Sequence, residues 1–137
     1  MRVLLVLLVL FGFSAPAAAL SEADRAAIRS TIERQLQAFL SDDGPTAYSF
    51  AAPNIKQMYP SVDAFMAMVR QGYPQVYRPR SHSFGELKEE PGYLTQSVDI
   101  VDAEGVYWTA VYTLRQDPDG SWKITGCYLV KKPGETA

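Results

Sequence analysis

Residues 106–130 read VYWTAVYTLRQ, then DPDG, then SWKITGCYLV, which predicts a strand, a turn and a second strand. The first run is apolar on both alternating faces, a pattern typical of a strand in the middle of a sheet. The turn has proline early and glycine late, as a tight connection between antiparallel strands favours. In the last run the apolar alternation changes parity at Gly126, which predicts a β-bulge. Trp122, at the start of that strand, is expected to be buried under the first helix.

Two further strands are predicted before this pair. Residues 93–101 alternate between apolar and polar side chains, and residues 81–88 can form a neighbouring strand. Residues 89–92 are predicted to be the turn between them. Residues 73–80 contain two prolines, so we expect them to be irregular or to lie at a sheet edge.

The segment before the strands is predicted to be helical. Ser21 and Asp24 have the spacing of a capping box, and Pro60-Ser61 opens a later helix that Gly72 closes. Short helical segments are expected between these two helices. The first helix has one apolar face, made of Ile28, Ile32, Leu36, Phe39 and Leu40. Helices followed by a meander of about four strands predict an α+β fold, with the helices packed on a curved antiparallel sheet.

Residues 1–19 have the layout of a secretory signal peptide: Arg2, an apolar run and a small-residue site at Ala17-Ala18-Ala19. The apolar run ends at Phe13, well short of the ~20 residues that span a membrane. We therefore expect cleavage after Ala19, no stable membrane anchor, and a periplasmic or secreted location in a bacterium. Residues 20–132 are predicted to form one domain, and residues 133–137 a flexible tail.

Composition argues against several classes of function. The chain has 13 Lys and Arg against 15 Asp and Glu and no basic stripe, so nucleic acid is not an expected partner. Its one cysteine, Cys127, lies among apolar residues and is predicted to be a buried structural thiol. The one histidine lacks the spacing of a metal site, and paired acids at residues 42–43 and 89–90 fit solvated turns. The sequence predicts no metal and no cofactor.

A candidate ligand site lies at Arg78, Arg80 and His82, which alternate as residues on one face of a strand would. Two guanidinium groups and an imidazole suit a carboxylate or phosphate ligand. The alternative is that they are edge-strand surface residues bonded to water or to a neighbouring loop. Asp99, the carboxylate in residues 93–101, is expected to face water, so no catalytic residue is assigned.

The many tyrosines are the remaining feature of the sequence that bears on function. They could line an apolar cavity and supply hydroxyl groups, form a dimer surface, or be core aromatics. Tyr48 and Tyr77 complete the candidate ligand-binding set. The residues considered are Tyr48, Tyr59, Tyr73, Tyr77, Tyr107, Tyr112 and Tyr128.

Three stretches, residues 27–39, 65–81 and 108–127, together with the order of the elements, resemble the nuclear transport factor 2-like superfamily (SnoaL-like and ketosteroid-isomerase-like proteins). More narrowly, the chain is similar to a family of uncharacterised exported bacterial domains. The resemblance implies a cone-shaped fold, often dimeric, with a pocket between helices and sheet. It does not fix a function, because that superfamily includes isomerases, dehydratases, binding proteins and assembly modules.

Two functions stay open. The chain lacks a second convincing catalytic carboxylate and a His–Asp pair, which favours a non-catalytic module that binds a small molecule or a protein partner, with a homodimer as a further prediction. The alternative is a ketosteroid-isomerase- or dehydratase-like enzyme that uses the pocket between helices and sheet.

Overall fold

The structure is a computed structural model that describes residues 20–133. The predicted signal peptide and most of the predicted tail lie outside these residues. The helices are α1 (Glu22–Leu40), α2 (Gly44–Ser49), α3 (Pro53–Met58), α4 (Val62–Gly72) and α5 (Pro74–Tyr77). The strands are β1 (Ser81–Glu90), β2 (Tyr93–Val101), β3 (Tyr107–Gln116) and β4 (Trp122–Lys131). This order confirms the predicted α+β fold.

The capping box of α1 forms as the sequence predicts. The backbone N–H of Asp24 donates to the Ser21 hydroxyl at 3.0 Å, and the Ser21 N–H donates to the Asp24 carboxylate at 3.3 Å. The predicted apolar face of α1 is buried through Phe39. Leu40 is an exception at 43% exposure, because one residue beyond Phe39 rotates it about 100° around the helix axis.

The four strands form one antiparallel sheet in the order β1-β2-β3-β4, with β3 between two partners as expected. The register between β3 and β4 shifts after Thr113. Thr113 pairs with Gly126 and Leu114 pairs with Ile124, so Thr125 is the extra residue. The bulge predicted at Gly126 is therefore confirmed, and it lets both Ile124 and Cys127 turn toward the helices.

Several predicted boundaries are wrong. Residues 74–77 form the helix α5 instead of an edge segment, because Pro74 stands in the first turn, where its missing N–H costs nothing. The strand β1 continues to Glu90, and the turn shrinks to Pro91-Gly92, with Gly92 at φ 83°. The last strand reaches Lys131, one residue beyond its predicted end.

The core lies between α1 and the inner face of the sheet. Ile28, Ile32 and Leu36 of α1 are fully buried there, as are Val98 of β2 and Leu114 of β3. Trp122 was expected to be buried under α1; it packs against this core but is only half-buried.

Trp122 packs at the edge of this core. It borders a shallow depression together with Leu20, Leu94 and Leu114. Within residues 20–133, no helix is both long and apolar enough to cross a membrane.

Candidate functional site

A pocket of about 190 Å³ lies between the helices and the β3–β4 half of the sheet. The β-bulge at Thr125 turns the middle of β4 toward it, and residues of α3 and α4 form the opposite wall. Most of its wall is apolar. The lining residues are Gln35, Phe39, Asn54, Ile55, Met58, Tyr59, Phe65, Met68, Val69, Tyr73, Val76, Tyr112, Ile124, Thr125, Gly126 and Cys127.

Several polar side chains of the wall already bind the protein backbone. The Gln35 amide donates to the Ala47 carbonyl at 3.1 Å, and the Asn54 amide donates to the Thr125 carbonyl at 2.9 Å. The Tyr73 hydroxyl donates to the carbonyl of Cys127 at 3.1 Å. These hydrogen bonds hold the wall in place. They also occupy side-chain donors that could otherwise bind a ligand.

Tyr112 differs from the other polar residues of the wall. It is 1% exposed, yet its hydroxyl has no hydrogen-bond partner among residues 20–133. In the sheet it stands directly opposite Cys127, which also lines the pocket. A buried hydroxyl without a partner costs free energy, so native proteins rarely retain one without a reason.

Burial favours the neutral forms of three ionisable residues of the wall, Cys127, Tyr112 and Tyr73. Burial raises the pKa of the Cys127 thiol to about 12. Burial, and secondarily the nearby Cys127, raises the pKa of Tyr112 well above its usual range, and burial also raises the pKa of Tyr73. No Asp, Glu, His, Lys or Arg is among the lining residues of the described chain. The pocket is therefore an uncharged, mostly apolar site.

The predicted ligand residues Arg78 and Tyr77 lie outside this pocket. The Arg78 guanidinium donates to the Phe39 carbonyl at the end of α1 and to the Asp42 carboxylate at 2.9 Å, and it stacks on the Tyr77 ring at 4.2 Å. The Tyr77 hydroxyl donates to the same carboxylate. Tyr77, and with it Arg78, holds the pKa of Asp42 below its usual value. Together these contacts hold the C-terminal end of α1 against α5.

Arg80 and His82 have separate partners. Arg80 is exposed and donates to the Ala103 carbonyl at 3.0 Å, in the turn between β2 and β3. The His82 ring nitrogen is 2.6 Å from the Glu33 carboxylate on α1. Burial would raise the pKa of Glu33, but hydrogen bonds from His82 and Gln37 outweigh it and lower that pKa.

The single strand face predicted for Arg78, Arg80 and His82 is wrong at its first two members. Arg78 and Arg80 both lie between α5 and β1, which begins at Ser81. The three side chains reach different elements and do not converge. Ligand binding by these residues stays a prediction.

Tyr48 also lies beside the pocket and not on its wall. Its hydroxyl donates to the Tyr59 carbonyl at 2.6 Å, and its ring centroid is 5.3 Å from that of Phe65. It therefore supports two residues that do line the pocket. Asp99 is on the outer face of the sheet, as expected, 2.6 Å from the Lys132 ammonium group.

The contacts of Arg78 and Arg80 predict unequal effects of their removal. Arg78→Ala should lower the free energy of unfolding by about 1–3 kcal/mol, because the Phe39 carbonyl loses a charged donor. Arg80→Ala should cost less than about 1 kcal/mol, because the hydrogen bond of its side chain to the Ala103 carbonyl is exposed. Denaturant titrations of both variants measure these costs, and equal costs would contradict the proposed difference.

The anion-site hypothesis needs a separate readout. Thermal-shift measurements with phosphate and acetate on the wild type and on Arg80→Ala provide it. Stabilisation of the wild type that is lost in the variant would support an anion ligand at Arg80. No stabilisation by either anion would leave Arg80 with its structural contact alone.

Sequence comparison connects this geometry to a family. A family model described as a domain of unknown function (DUF4864) matches residues 21–137. The chain belongs to the DUF4864 family. A comparison with curated proteins finds no match.

Solved structures show which fold this DUF4864 chain has. It is similar to a nuclear transport factor 2-like protein of unknown function from Silicibacter pomeroyi, with 16% identity and a TM-score of 0.56, over 82% of this chain and 100% of that one. It is also similar to one from Shewanella baltica, with 9% identity and a TM-score of 0.59, over 85% of this chain and 100% of that one. At such identities the likeness shows the nuclear transport factor 2-like fold and no function.

Sequence reasoning identified some residues of the DUF4864 pocket without placing them. Tyr59, Tyr73 and Tyr112 belong to the tyrosine set for which a cavity was one of the alternatives, and all three line the pocket. Gln35 and Asn54 were missed. Gln35 occupies a position on the buried face of α1 and is 4% exposed, so a polar residue in that apolar stripe was the available signal.

Proposed function

We propose that this domain is a non-catalytic binding module for a small molecule that enters the pocket between helices and sheet. The observation that carries the proposal is the pocket wall itself, which is concave and mostly apolar. Among residues 20–133 it has no charged side chain, and its one buried hydroxyl without a partner is that of Tyr112. Small-molecule sites in proteins commonly combine an apolar wall with a few placed polar groups.

The pocket volume limits the size of the ligand. An apolar cavity of about 150 Å³ holds a benzene molecule. A pocket of about 190 Å³ therefore suits one ring with a short substituent, or an aliphatic group of similar size. Met58 at the wall is 69% exposed, so the pocket has a side that meets solvent.

The isomerase or dehydratase alternative has weaker support. Acid–base chemistry of that kind needs a carboxylate or imidazole within hydrogen-bond reach of the substrate. His82 pairs with Glu33, Asp99 pairs with Lys132, and none of the four lines the pocket. With its raised pKa, Cys127 is a poor nucleophile at neutral pH.

Blocking the pocket tests the proposal. Acetophenone is a suitable neutral probe of the expected size. At ten times its dissociation constant it should stabilise the wild type by about 1.4 kcal/mol, which is a few degrees in Tm for a domain of this size. Val76→Phe places a larger side chain in the wall and should abolish that shift.

Val130→Phe is the matched control. Val130 is 48% exposed and lies in β4 outside the pocket, so the same substitution there should leave the acetophenone shift intact. Equal shifts in the wild type and in Val76→Phe would place acetophenone elsewhere and contradict the proposal.

We also propose export to the periplasm or the medium. The support is the signal-peptide layout of residues 1–19, which lie outside the described part of the chain. Intact mass of the protein recovered outside the cytoplasm should show Leu20 as its first residue. A mature species that retains residues 1–13 would contradict this proposal.

A further inference from the structure

Tyr112 is the buried polar residue of the pocket wall whose hydroxyl has no partner among residues 20–133. Its backbone holds the middle of β3, paired with Gln96 of β2 on one side and Cys127 of β4 on the other. The Tyr112 backbone is therefore held between two neighbouring strands. The side chain belongs to the pocket wall and is 1% exposed.

The donor of the Tyr112 hydroxyl is unused within the described chain. It makes no hydrogen bond within residues 20–133, unlike the Tyr73 hydroxyl in the same wall, which donates to the Cys127 carbonyl. Burial keeps the phenol protonated across the physiological range, since its pKa is raised well above the usual value. An O–H group of this kind is satisfied by an acceptor atom.

We propose that Tyr112 determines specificity in this pocket by donating a hydrogen bond to a carbonyl oxygen, or a comparable neutral acceptor, on a compact apolar ligand. This inference rests on the proposed binding function and adds the chemical class of the ligand to it. A neutral acceptor is favoured over a carboxylate or phosphate, because no cationic side chain lines the described wall to compensate a buried charge. A site built around one buried donor rejects analogues that lack the acceptor.

Two probes of nearly equal shape isolate the hydrogen bond. Acetophenone carries a carbonyl oxygen, and ethylbenzene replaces that carbonyl with a methylene group. Tyr112→Phe removes only the hydroxyl and leaves the aromatic ring in the wall. Chemical-shift titrations give a dissociation constant for each probe with the wild type and with Tyr112→Phe, which makes a double-mutant cycle.

The expected result is selective. Tyr112→Phe should weaken acetophenone roughly five- to tenfold, as for one neutral hydrogen bond, and should leave ethylbenzene unchanged or slightly tighter. Tyr107→Phe, in the same strand but 54% exposed, should change neither constant. The Tyr112→Phe variant should fold normally, since it loses no hydrogen bond within the described chain.

The alternative outcomes separate this inference from the function on which it rests. If both probes bind the wild type and Tyr112→Phe affects them equally, the role of Tyr112 is overturned while binding in the pocket stands. If neither probe binds the wild type at millimolar concentration, the binding function fails and the inference fails with it.

Discussion

Phe39→Ala should destabilise the domain by about 3–5 kcal/mol, the cost typical of removing a large buried aromatic side chain. Phe39 is 2% exposed, and its ring centroid lies 6.3 Å from that of Phe65 and 6.4 Å from that of Tyr77. It therefore joins α1 to α4 and α5. Its removal also enlarges the pocket that it lines, which leaves a cavity in the packing.

Leu40→Ala is the control for this change. Leu40 follows Phe39 directly in α1 but is 43% exposed, so its truncation should cost less than about 1 kcal/mol. Urea denaturation of both variants measures the two free energies. A loss below about 1 kcal/mol for Phe39→Ala would mean that α4 and α5 are not packed on α1 as described.

Cys127 should react about thirty- to a hundredfold more slowly with iodoacetamide at pH 8 in the folded domain than in the unfolded chain. Burial raises its pKa to about 12, so the reactive thiolate is scarce. The higher nucleophilicity of such a thiolate recovers only part of the loss. Mass spectrometry of alkylated protein, with and without denaturant, gives both rates. Comparable rates would show that the thiol is solvated.

The same shift makes stability depend on pH at the alkaline end. Above about pH 8.5 an unfolded thiol loses its proton, whereas the folded thiol of Cys127 keeps its proton until about pH 12. The folded state then binds more protons than the unfolded state. The contribution is complete below the unfolded pKa, and the free energy of unfolding falls as pH rises through this interval. Cys127→Ala should reduce that dependence.

Local rules predict most of the fold. The capping box at Ser21, the alternation in residues 93–101 and the parity change at Gly126 each depend on nearby residues, and the structure confirms all three. The segment around Pro74 was assigned differently because proline fits either an edge segment or a first helical turn. The structure places this segment against residues far away in sequence: Val76 is buried, and Arg78 donates to the Phe39 carbonyl, thirty-nine residues away. Local rules do not include such contacts.

The candidate site was harder to predict because it also depends on contacts between residues far apart in the sequence. Alternation suggested that Arg78, Arg80 and His82 share a face, but α5 interrupts the alternation. Each side chain instead bonds to a group far away in sequence: a backbone carbonyl for the two arginines and a carboxylate for the histidine. Tyr112 could be named only as one tyrosine among several. Its pairing with Gln96 and Cys127 depends on register, and its missing partner depends on the whole surrounding wall.

Intermolecular nuclear Overhauser effects from bound acetophenone test the central claim most directly, because they locate the probe. The account predicts contacts from its ring and methyl protons to Val69, Tyr112 and Ile124, which line the pocket. Contacts confined to Tyr107 and Tyr128, which are exposed residues outside the pocket, would contradict it.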